Sequence, residues 1–221
     1  MHATGVDGAR SAVGVVVVID VLRAFSVSAY ALAGGARECL LVGTVDEARA
    51  VAGATPDAII SAEVDTLPVA GIPISNSPTQ IVEANLRGKA VVQRTSAGTQ
   101  AINAVETAEA IYAASLVVAR ATAQACLLMR PQTVTLVASG DYPEDHACAR
   151  YIEALMRGES ADVSQLLEAL TSSERYERFA RGDWPGFPKS DLDLALATDR
   201  FDFAMPATKD ERRVRLTAEH A

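Results

Sequence analysis

The segment from Val15 to Arg23 constrains the fold of this chain most, because four valines and an isoleucine lead directly into Asp20-Val21-Leu22-Arg23. An unbroken run of branched apolar residues is typical of a strand buried on both faces, as in a parallel sheet. Open α/β sheets bind their ligands at the carboxyl edge of their strands. An acid and a base at the end of such a strand therefore predict a functional site here.

Further along the chain, strand-like and helix-like patterns alternate. The predicted strands are Val13–Val21, Cys39–Val42, Ala58–Ala62, Lys89–Arg94, Glu109–Ala114 and Thr133–Ala138. The predicted helices are Ala24–Ala33, Val45–Ala54, Pro78–Asn85, Thr99–Val105, Val117–Met129 and Glu144–Arg157. Short connections between alternating elements indicate an α/β fold with a mainly parallel sheet flanked by helices.

Local signals mark some of the helix boundaries. Thr44 and Glu47 have the spacing of a capping box, and Gly34-Gly35 is a natural stop for the first helix. After residue 158 the pattern changes to a charge-rich helical stretch, a turn-rich loop over 182–188, a short helix and a short strand. We therefore expect one domain over 1–221, divided into a βα core (10–158), a helical extension that returns to the core (159–206) and a tail (207–221), solvated over 212–221.

Composition limits the classes of function. The chain has 221 residues, 49% of them hydrophobic, and a net charge of −8. Such a balance argues against nucleic-acid binding and against an anionic membrane surface, but one cationic pocket can still bind an anionic substrate. Three widely spaced cysteines without a metal-binding pattern, and no signal or membrane-spanning segment, predict reduced thiols and a cytoplasmic protein. Alanine-rich helices make a homodimer plausible.

Polar residues follow several of the predicted strands. They are Asp20 and Arg23, then Glu63, then Thr95, Ser96, Gly98 and Thr99, then Ser139, and finally Glu144 and Asp145 at the start of the next helix. If the strands are parallel, these groups converge on one edge of the sheet. Each could instead cap a helix or face solvent, but an acid directly after a buried strand is hard to explain in that way.

Two segments have the features of anion sites. Arg94 to Thr99 combines hydroxyls, a glycine and an arginine at a helix start, and Asn76-Ser77-Pro78 places an N-cap pair before a proline. Helix N-termini bind phosphate through free N–H groups, although the second segment could simply cap its helix. Hard oxygen ligands suit Mg²⁺, which predicts a metal bound by Asp20, Glu63, Glu144 and Asp145. The last two also suit a helix macrodipole.

Several phosphate chemistries are excluded. The chain has no P-loop signature and no G-x-G-x-x-G after a strand. A haloacid-dehalogenase phosphatase requires a second acid two residues after the first, where this chain has Leu22. None of the cysteines lies in a glycine-rich loop with an arginine five or six residues later.

An ordered set of motifs resembles the 2-phosphosulfolactate phosphatase (ComB-like) family. The segments are Asp20-Val21-Leu22-Arg23-Ala24 with Ser26, Ala33-Gly34-Gly35-Ala36, Asn76-Ser77-Pro78, Arg94-Thr95-Ser96-Ala97-Gly98-Thr99, Ser139-Gly140 with Glu144-Asp145 and Cys148-Ala149, and Phe203-Ala204-Met205-Pro206. The resemblance implies a Mg²⁺-dependent α/β phosphatase that hydrolyses the phosphate ester of a small 2-hydroxy acid, such as 2-phospho-3-sulfolactate.

The resemblance also implies roles. Asp20, Glu63, Glu144 and Asp145 would bind the metal, with one carboxylate acting as base. Arg23, Asn76, Ser77 and the segment Thr95, Ser96, Gly98 and Thr99 would bind the phosphorylated substrate. Arg94 or Arg120 would meet its sulfonate or carboxylate, because guanidinium suits such anions.

The chain departs from the family pattern at four positions. Ala97 replaces an asparagine, Pro73 and Ser75 replace an aspartate and a glycine, and Arg120 stands where the family usually has asparagine. We expect these changes to weaken the turnover of phosphosulfolactate. The alternative hypothesis is a small-anion-binding protein that has lost turnover through Ala97 and Arg120.

Overall fold

The computed structural model describes residues 1–210 and 213–220, which form one large mixed β-sheet with helices packed against it. The strands are β1 (His2–Thr4), β2 (Val15–Ile19), β3 (Glu38–Leu41), β4 (Ala58–Val64), β5 (Leu67–Pro68), β6 (Ala90–Arg94), β7 (Ala110–Ala114), β8 (Val134–Ala138), β9 (Phe203–Lys209), β10 (Val214–Leu216) and β11 (Glu219–His220). Their order is β1-β8-β2-β7-β9-β10-β3-β6-β4-β5, and β11 pairs with β9.

Helices connect most of these strands. They are α1 (Gly5–Arg10), α2 (Ala24–Ala33), α3 (Val45–Ala54), α4 (Pro78–Glu83), α5 (Gly98–Ala104), α6 (Ala119–Leu128), α7 (Pro143–Arg157), α8 (Val163–Leu166), α9 (Glu168–Thr171), α10 (Glu174–Arg181) and α11 (Ser190–Ala195), with a 3₁₀ turn at Leu116–Val118. In the part of the chain described, none of these helices has the length and apolar character needed to cross a membrane.

The sheet consists of two parallel groups, which confirms the predicted α/β class. Strands β1, β8, β2 and β7 are mutually parallel, and so are β3, β6 and β4. The antiparallel hairpin β9–β10 lies between the groups and pairs with β7 on one side and β3 on the other. Three antiparallel pairings in succession mean that the two groups run in opposite directions.

The expectation that the polar groups share one edge of a parallel sheet is therefore corrected. In a flat sheet β2 and β6 would lie roughly 24 Å apart, yet the groups after them meet. Helix α2 explains how, because it is buried almost entirely and packs in one hydrophobic core with residues of both β2 and β6. Asp20 and Gly98, which come after β2 and β6, both lie at the start of this helix, where a Cβ on Gly98 would be 2.8 Å from Ala24 Cβ.

The register of the first group aligns three polar positions. Ile19 at the end of β2 pairs with Ala114 of β7 and with Ala138 of β8. The Asp20 amide donates to the Ala114 carbonyl at 3.1 Å, and the Ser139 amide donates to the Ile19 carbonyl at 2.8 Å. Asp20, Ser115 and Ser139 consequently follow three adjacent strands side by side.

Several local predictions are confirmed. Both hydrogen bonds of the Thr44–Glu47 capping box form, and Gly34 caps the end of α2. Cys39, Cys126 and Cys148 are all buried and free of disulfides.

The C-terminal end differs most from expectation. The predicted solvated tail is wrong at Val214 and Leu216, which are fully buried in the middle of the sheet. Positions 212 and 221 of that predicted tail lie outside the described residues. The predicted helical stretch after residue 158 is divided into α8, α9 and α10, and β1 and α1 precede the predicted core.

Candidate active site

A pocket lies where the ends of β2, β4 and β6 face the segment 174–191, which we call the C-terminal wall. The residues lining it are Asp20, Leu22, Arg23, Glu63, Thr66, Asn76, Thr95, Ser96, Ala97, Tyr142, Arg175, Phe179 and Phe187. Four carboxylates lie at or beneath its base. We call Asp20, Glu63, Glu144 and Asp145 the acidic floor.

Asp20 is the floor residue that follows the buried strand. Its Oδ1 accepts a hydrogen bond from the Ala24 amide at 2.9 Å, and its Oδ2 accepts one from the Ser139 hydroxyl at 3.2 Å. A Cβ at Gly98 would lie 2.6 Å from Oδ2, so the start of α5 approaches this close only because residue 98 is glycine. Burial raises the pKa of Asp20. The hydrogen bonds from Ala24 and Ser139 lower it and so oppose part of that rise.

Asp145 lies behind Asp20, and the two share one hydroxyl. The Ser139 Oγ is 2.9 Å from Asp145 Oδ2, while Asp145 Oδ1 accepts from the Val21 amide at 2.8 Å. Burial raises the pKa of Asp145 well above its ordinary value, and the charges on Asp20 and Glu144 raise it further. The proximity and burial of Asp20 and Asp145 therefore disfavour the ionisation of both carboxylates together.

Glu144 differs from its neighbour because it has an arginine partner. Its Oε1 accepts a hydrogen bond from Arg175 Nη1 at 2.6 Å, and its Oε2 is buried without a hydrogen-bond partner. Burial raises the pKa of Glu144, and the charge on Arg175 opposes part of that rise.

Glu63 organises two loops around the pocket. Its Oε1 accepts a hydrogen bond from the Ser96 amide, and its Oε2 accepts one from the Thr66 amide. The Arg94 guanidinium donates to the carbonyls of Gly43 and Glu63 and to the Ser96 hydroxyl. Arg94 thus fixes this loop rather than lining the pocket.

The two threonines of the predicted anion segment bond to each other. The Thr95 amide donates to Thr99 Oγ1 at 2.9 Å, and the Thr99 amide donates to Thr95 Oγ1 at 3.1 Å. Thr95 lines the pocket, whereas Thr99 is buried behind it. Thr99 therefore shapes the segment.

Arg23 binds the C-terminal wall. Its Nη1 donates to Asp191 Oδ2 and to the Gly186 carbonyl, both at 2.7 Å, and its guanidinium lies 4.1 Å from the Phe187 ring centroid. Asp191 Oδ1 also accepts from the Ser77 hydroxyl at 2.8 Å. Ser77 is therefore a helix cap that contacts Asp191, and it does not line the pocket.

The wall is held by aromatic contacts as well. Phe179 and Phe187 stack with ring centroids 4.0 Å apart. The Trp184 Nε1 donates to Thr66 Oγ1 at 2.7 Å, which joins the wall to the turn after β4.

The structure brings most of the predicted site residues together. Asp20, Arg23, Glu63, Asn76, Thr95 and Ser96 line the pocket, and Gly98, Glu144 and Asp145 contact residues that do. Of the departures from the family pattern, Ala97 lines the pocket and Ser75 bonds to Gly186 in the wall.

Besides Gly98, four predicted substrate-binding residues do not line the pocket: Ser77, Arg94, Thr99 and Arg120. The prediction that Arg94 or Arg120 meets the second anionic group of the substrate is therefore corrected, and Arg120 lies outside the pocket altogether. Its guanidinium bonds to Asp199 at 3.0 Å and to the Tyr151 hydroxyl at 2.9 Å, and it lines a separate surface depression. The residue reaches this place because it lies in the first turn of α6, which packs against α7.

Sequence reasoning missed the contributions of the wall, above all Arg175 and Asp191. A signal was present, because four of the eleven aromatic residues lie within residues 176–187. In a chain so poor in aromatics, that concentration indicates a packed segment rather than a solvated one.

The carboxylates of the acidic floor are only partly paired with arginines. Arg23 is paired with Asp191 and Arg175 with Glu144, which leaves Asp20, Glu63 and Asp145 without an arginine partner in the described part of the chain. Over residues 1–210 and 213–220, no group of three or more His, Cys, Asp or Glu side chains is arranged to hold a metal ion. The four predicted carboxylates therefore do not form one cluster of ligands.

Comparisons with known proteins agree on one family. The family model described as 2-phosphosulpholactate phosphatase matches residues 4–209. A Bacillus subtilis protein named "Probable 2-phosphosulfolactate phosphatase" is 32% identical over 200 residues, 88% of this chain and 87% of that protein. Proteins of the same name from Clostridium acetobutylicum and Symbiobacterium thermophilum are 34% and 31% identical, over 78% and 75% of this chain and 74% and 73% of their own lengths.

Proposed function

Since the chain belongs to the 2-phosphosulfolactate phosphatase family, we propose that it hydrolyses the phosphate monoester of a small 2-hydroxy acid, 2-phosphosulfolactate or a close relative. The observation that carries this proposal is the charge arrangement of one pocket. Asp20 faces it from a buried strand end, two further floor acids lack arginine partners, and Arg23 and Arg175 line it. A homodimer and a cytoplasmic location stay predictions.

We propose Mg²⁺ as the cofactor, bound chiefly by Asp20. Mg²⁺ commonly uses one or two carboxylates and takes its other ligands from water and substrate phosphate. The pair Asp20 and Asp145, joined by Ser139, supplies such a donor set, and the absence of a larger cluster among the described residues is compatible with it. When bound, the ion neutralises charge on the phosphoryl oxygens.

The phosphate would be bound by groups that surround Asp20. The Arg23 guanidinium keeps Nε and Nη2 free of hydrogen bonds, because its contacts in the described chain use Nη1. Thr95, Ser96 and Asn76 line the same pocket as Arg23. Charge-assisted hydrogen bonds of this type fix the phosphorus for in-line attack.

The reaction itself is a displacement at phosphorus by water. The water oxygen forms the new P–O bond while the bond from phosphorus to the substrate's 2-oxygen breaks. Glu63, the second carboxylate that lines the pocket, accepts the proton of the attacking water. The departing 2-oxygen takes up one proton from solvent water and Glu63 returns its own proton to solvent, so the products are the hydroxy acid and inorganic phosphate.

The alternative hypothesis is a family member that binds small anions without turnover. Its remaining support is Ala97, which lines the pocket where the family has an asparagine side chain. Arg120 no longer supports it, because that residue bonds to Asp199 outside the pocket.

The deciding experiment measures phosphate release from a panel of phosphorylated 2-hydroxy acids, with Mg²⁺ and with EDTA. We expect Mg²⁺-dependent release that falls by about 10²- to 10³-fold in Asp20→Asn, as when an electrostatic contact to the transition state is lost. Asp141→Asn is the matched control, since this acid follows the neighbouring strand β8 but has a side chain that is 95% exposed. Phosphate binding without release from any ester would support the alternative, and full activity in Asp20→Asn would refute the role of Asp20.

A further inference from the structure

We infer that Arg175 recognises a second anionic group of the substrate, the carboxylate or sulfonate that accompanies the phosphate ester. This inference rests on the proposed phosphatase function. It assigns specificity for an acidic substrate to the C-terminal wall, through a residue that the sequence places only in a charge-rich helical stretch.

The pocket offers two cations that differ in accessibility. Arg23 and Arg175 are the basic residues lining the pocket among those the structure describes. The side chain of Arg23 is only 2% exposed and contacts Asp191, beside the proposed phosphate site. The side chain of Arg175 is 25% exposed. Arg175 is therefore the more accessible cation for a group that extends away from the phosphorus.

The Arg175 guanidinium is held in one orientation by its neighbours. Its carbon lies 4.3 Å from the ring centroid of Tyr142 and 5.2 Å from that of Phe179. Its Nη1 is bound to Glu144, the one hydrogen bond that this guanidinium makes within residues 1–210 and 213–220. Nε and Nη2 remain free, and they form the edge of the guanidinium that pairs with two oxygens of a carboxylate or sulfonate.

The pairing of Arg175 with the buried Glu144 costs desolvation free energy that this single contact does not offset. Glu144 is fully buried and its Oε2 has no hydrogen-bond partner. A buried carboxylate that binds one guanidinium nitrogen only is a poor means of stabilising the fold, because desolvation offsets the attraction. It is an effective means of fixing an arginine whose other edge must meet a ligand.

The experiment compares two probes that separate the two anionic groups. Inorganic phosphate tests the phosphate site, and sulfolactate, which has a carboxylate and a sulfonate but no phosphate, tests Arg175. We expect Arg175→Gln to weaken sulfolactate binding by about 10- to 100-fold, the effect of losing hydrogen bonds to a charged group. Its phosphate affinity should stay within about twofold of wild type, with KM for the ester rising more than kcat falls.

Two further variants keep the outcome interpretable. Arg175→Lys retains the charge without the paired N–H groups and should lie between wild type and Arg175→Gln. Arg181→Gln removes an arginine from the same helix whose side chain is 56% exposed and should change neither affinity. Thermal unfolding of each variant reports whether the wall remains folded.

The inference is overturned if phosphate and sulfolactate weaken equally in Arg175→Gln, since Arg175 would then be a phosphate ligand or a structural residue. It is also overturned if neither affinity changes, or if the wild-type protein does not bind sulfolactate. A wild-type protein that releases phosphate from no ester would refute the proposed function alone, because both binding measurements would still decide the role of Arg175.

Discussion

The acidic floor and the C-terminal wall use carboxylates in opposite ways. In the wall, Asp191 is paired with Arg23 and accepts hydrogen bonds from Ser77 and the Thr79 amide. In the floor, Asp20 and Asp145 share one serine hydroxyl and have no arginine partner among the described residues. The same type of side chain stabilises the fold in one region and remains available for ligand chemistry in the other.

The two regions are joined by ion pairs that cross between them. Arg23, next to the floor, binds Asp191 of the wall, and Arg175 of the wall binds Glu144 of the floor. Breaking a buried pair by removing one partner leaves an uncompensated charge, whereas removing an unpaired buried acid relieves one. Removing a carboxylate is therefore expected to lower the free energy of unfolding in the wall and to raise it in the floor.

The largest effect on stability is expected when Asp191, the wall carboxylate that pairs with Arg23, loses its charge. Asp191→Asn keeps an oxygen that can accept from Ser77 but leaves the buried Arg23 guanidinium without a carboxylate. We expect the free energy of unfolding to fall by about 3–5 kcal/mol, measured by denaturant titration. Asp193→Asn, at an exposed position of the same helix, is the control and should change stability little. A loss as small as that of the control would show that Arg23 does not need its partner.

The base of the pocket could be predicted from the sequence because its residues lie at strand ends. Asp20 directly follows β2, Glu63 is the penultimate residue of β4, and Thr95 and Ser96 follow β6, so the strand ends fix where these residues lie. The wall could not be predicted in the same way. Arg23 and Asp191 are separated by 168 positions, and no local pattern specifies which acid such an arginine will meet.

The central hairpin β9–β10 accounts for the main error in the fold predicted from the sequence, the solvated C-terminal tail. Strand β10 contains Val214-Arg215-Leu216, which is too short and too charged to read as a central strand. It is buried because β3 and β9 lie on either side of it and supply its hydrogen bonds. Its structure depends on tertiary pairing, and a short alternating segment is equally compatible with a solvated tail.

An intermediate effect is expected from closing the gap between the floor and the start of α5. In Gly98→Ala the new Cβ would lie 2.6 Å from Asp20 Oδ2 and 2.8 Å from Ala24 Cβ. Overpacking of this kind costs about 1–3 kcal/mol, and it displaces the Asp20 carboxylate, so kcat/KM should fall along with stability. Gly53→Ala is the control, because a Cβ there meets nothing within 4 Å and alanine favours the helix. Unchanged kinetics in Gly98→Ala would mean that the position of Asp20 is not critical.

The smallest and most diagnostic effect concerns pH. Burial raises the pKa of Asp145 above its ordinary value of 3.8, so the folded protein binds a proton there more tightly than the unfolded chain does. In the absence of divalent cations, this carboxyl therefore lowers stability as the pH rises from about 4 to its raised folded pKa. Above that pKa its effect is constant. The slope for one proton is at most about 1.4 kcal/mol per pH unit.

Asp145→Asn removes this dependence and retains hydrogen-bonding atoms for Val21 and Ser139. In EDTA we expect the variant to be more stable than wild type at pH 8 and to differ less at pH 4, as measured by urea unfolding across the pH range. Because a cation at the floor would favour the ionised carboxylates, saturating Mg²⁺ should stabilise the wild type more than the variant. A variant that is less stable than wild type at pH 8 in EDTA would contradict this prediction. It would show that the fold requires the charge of Asp145, as we expect for Asp191.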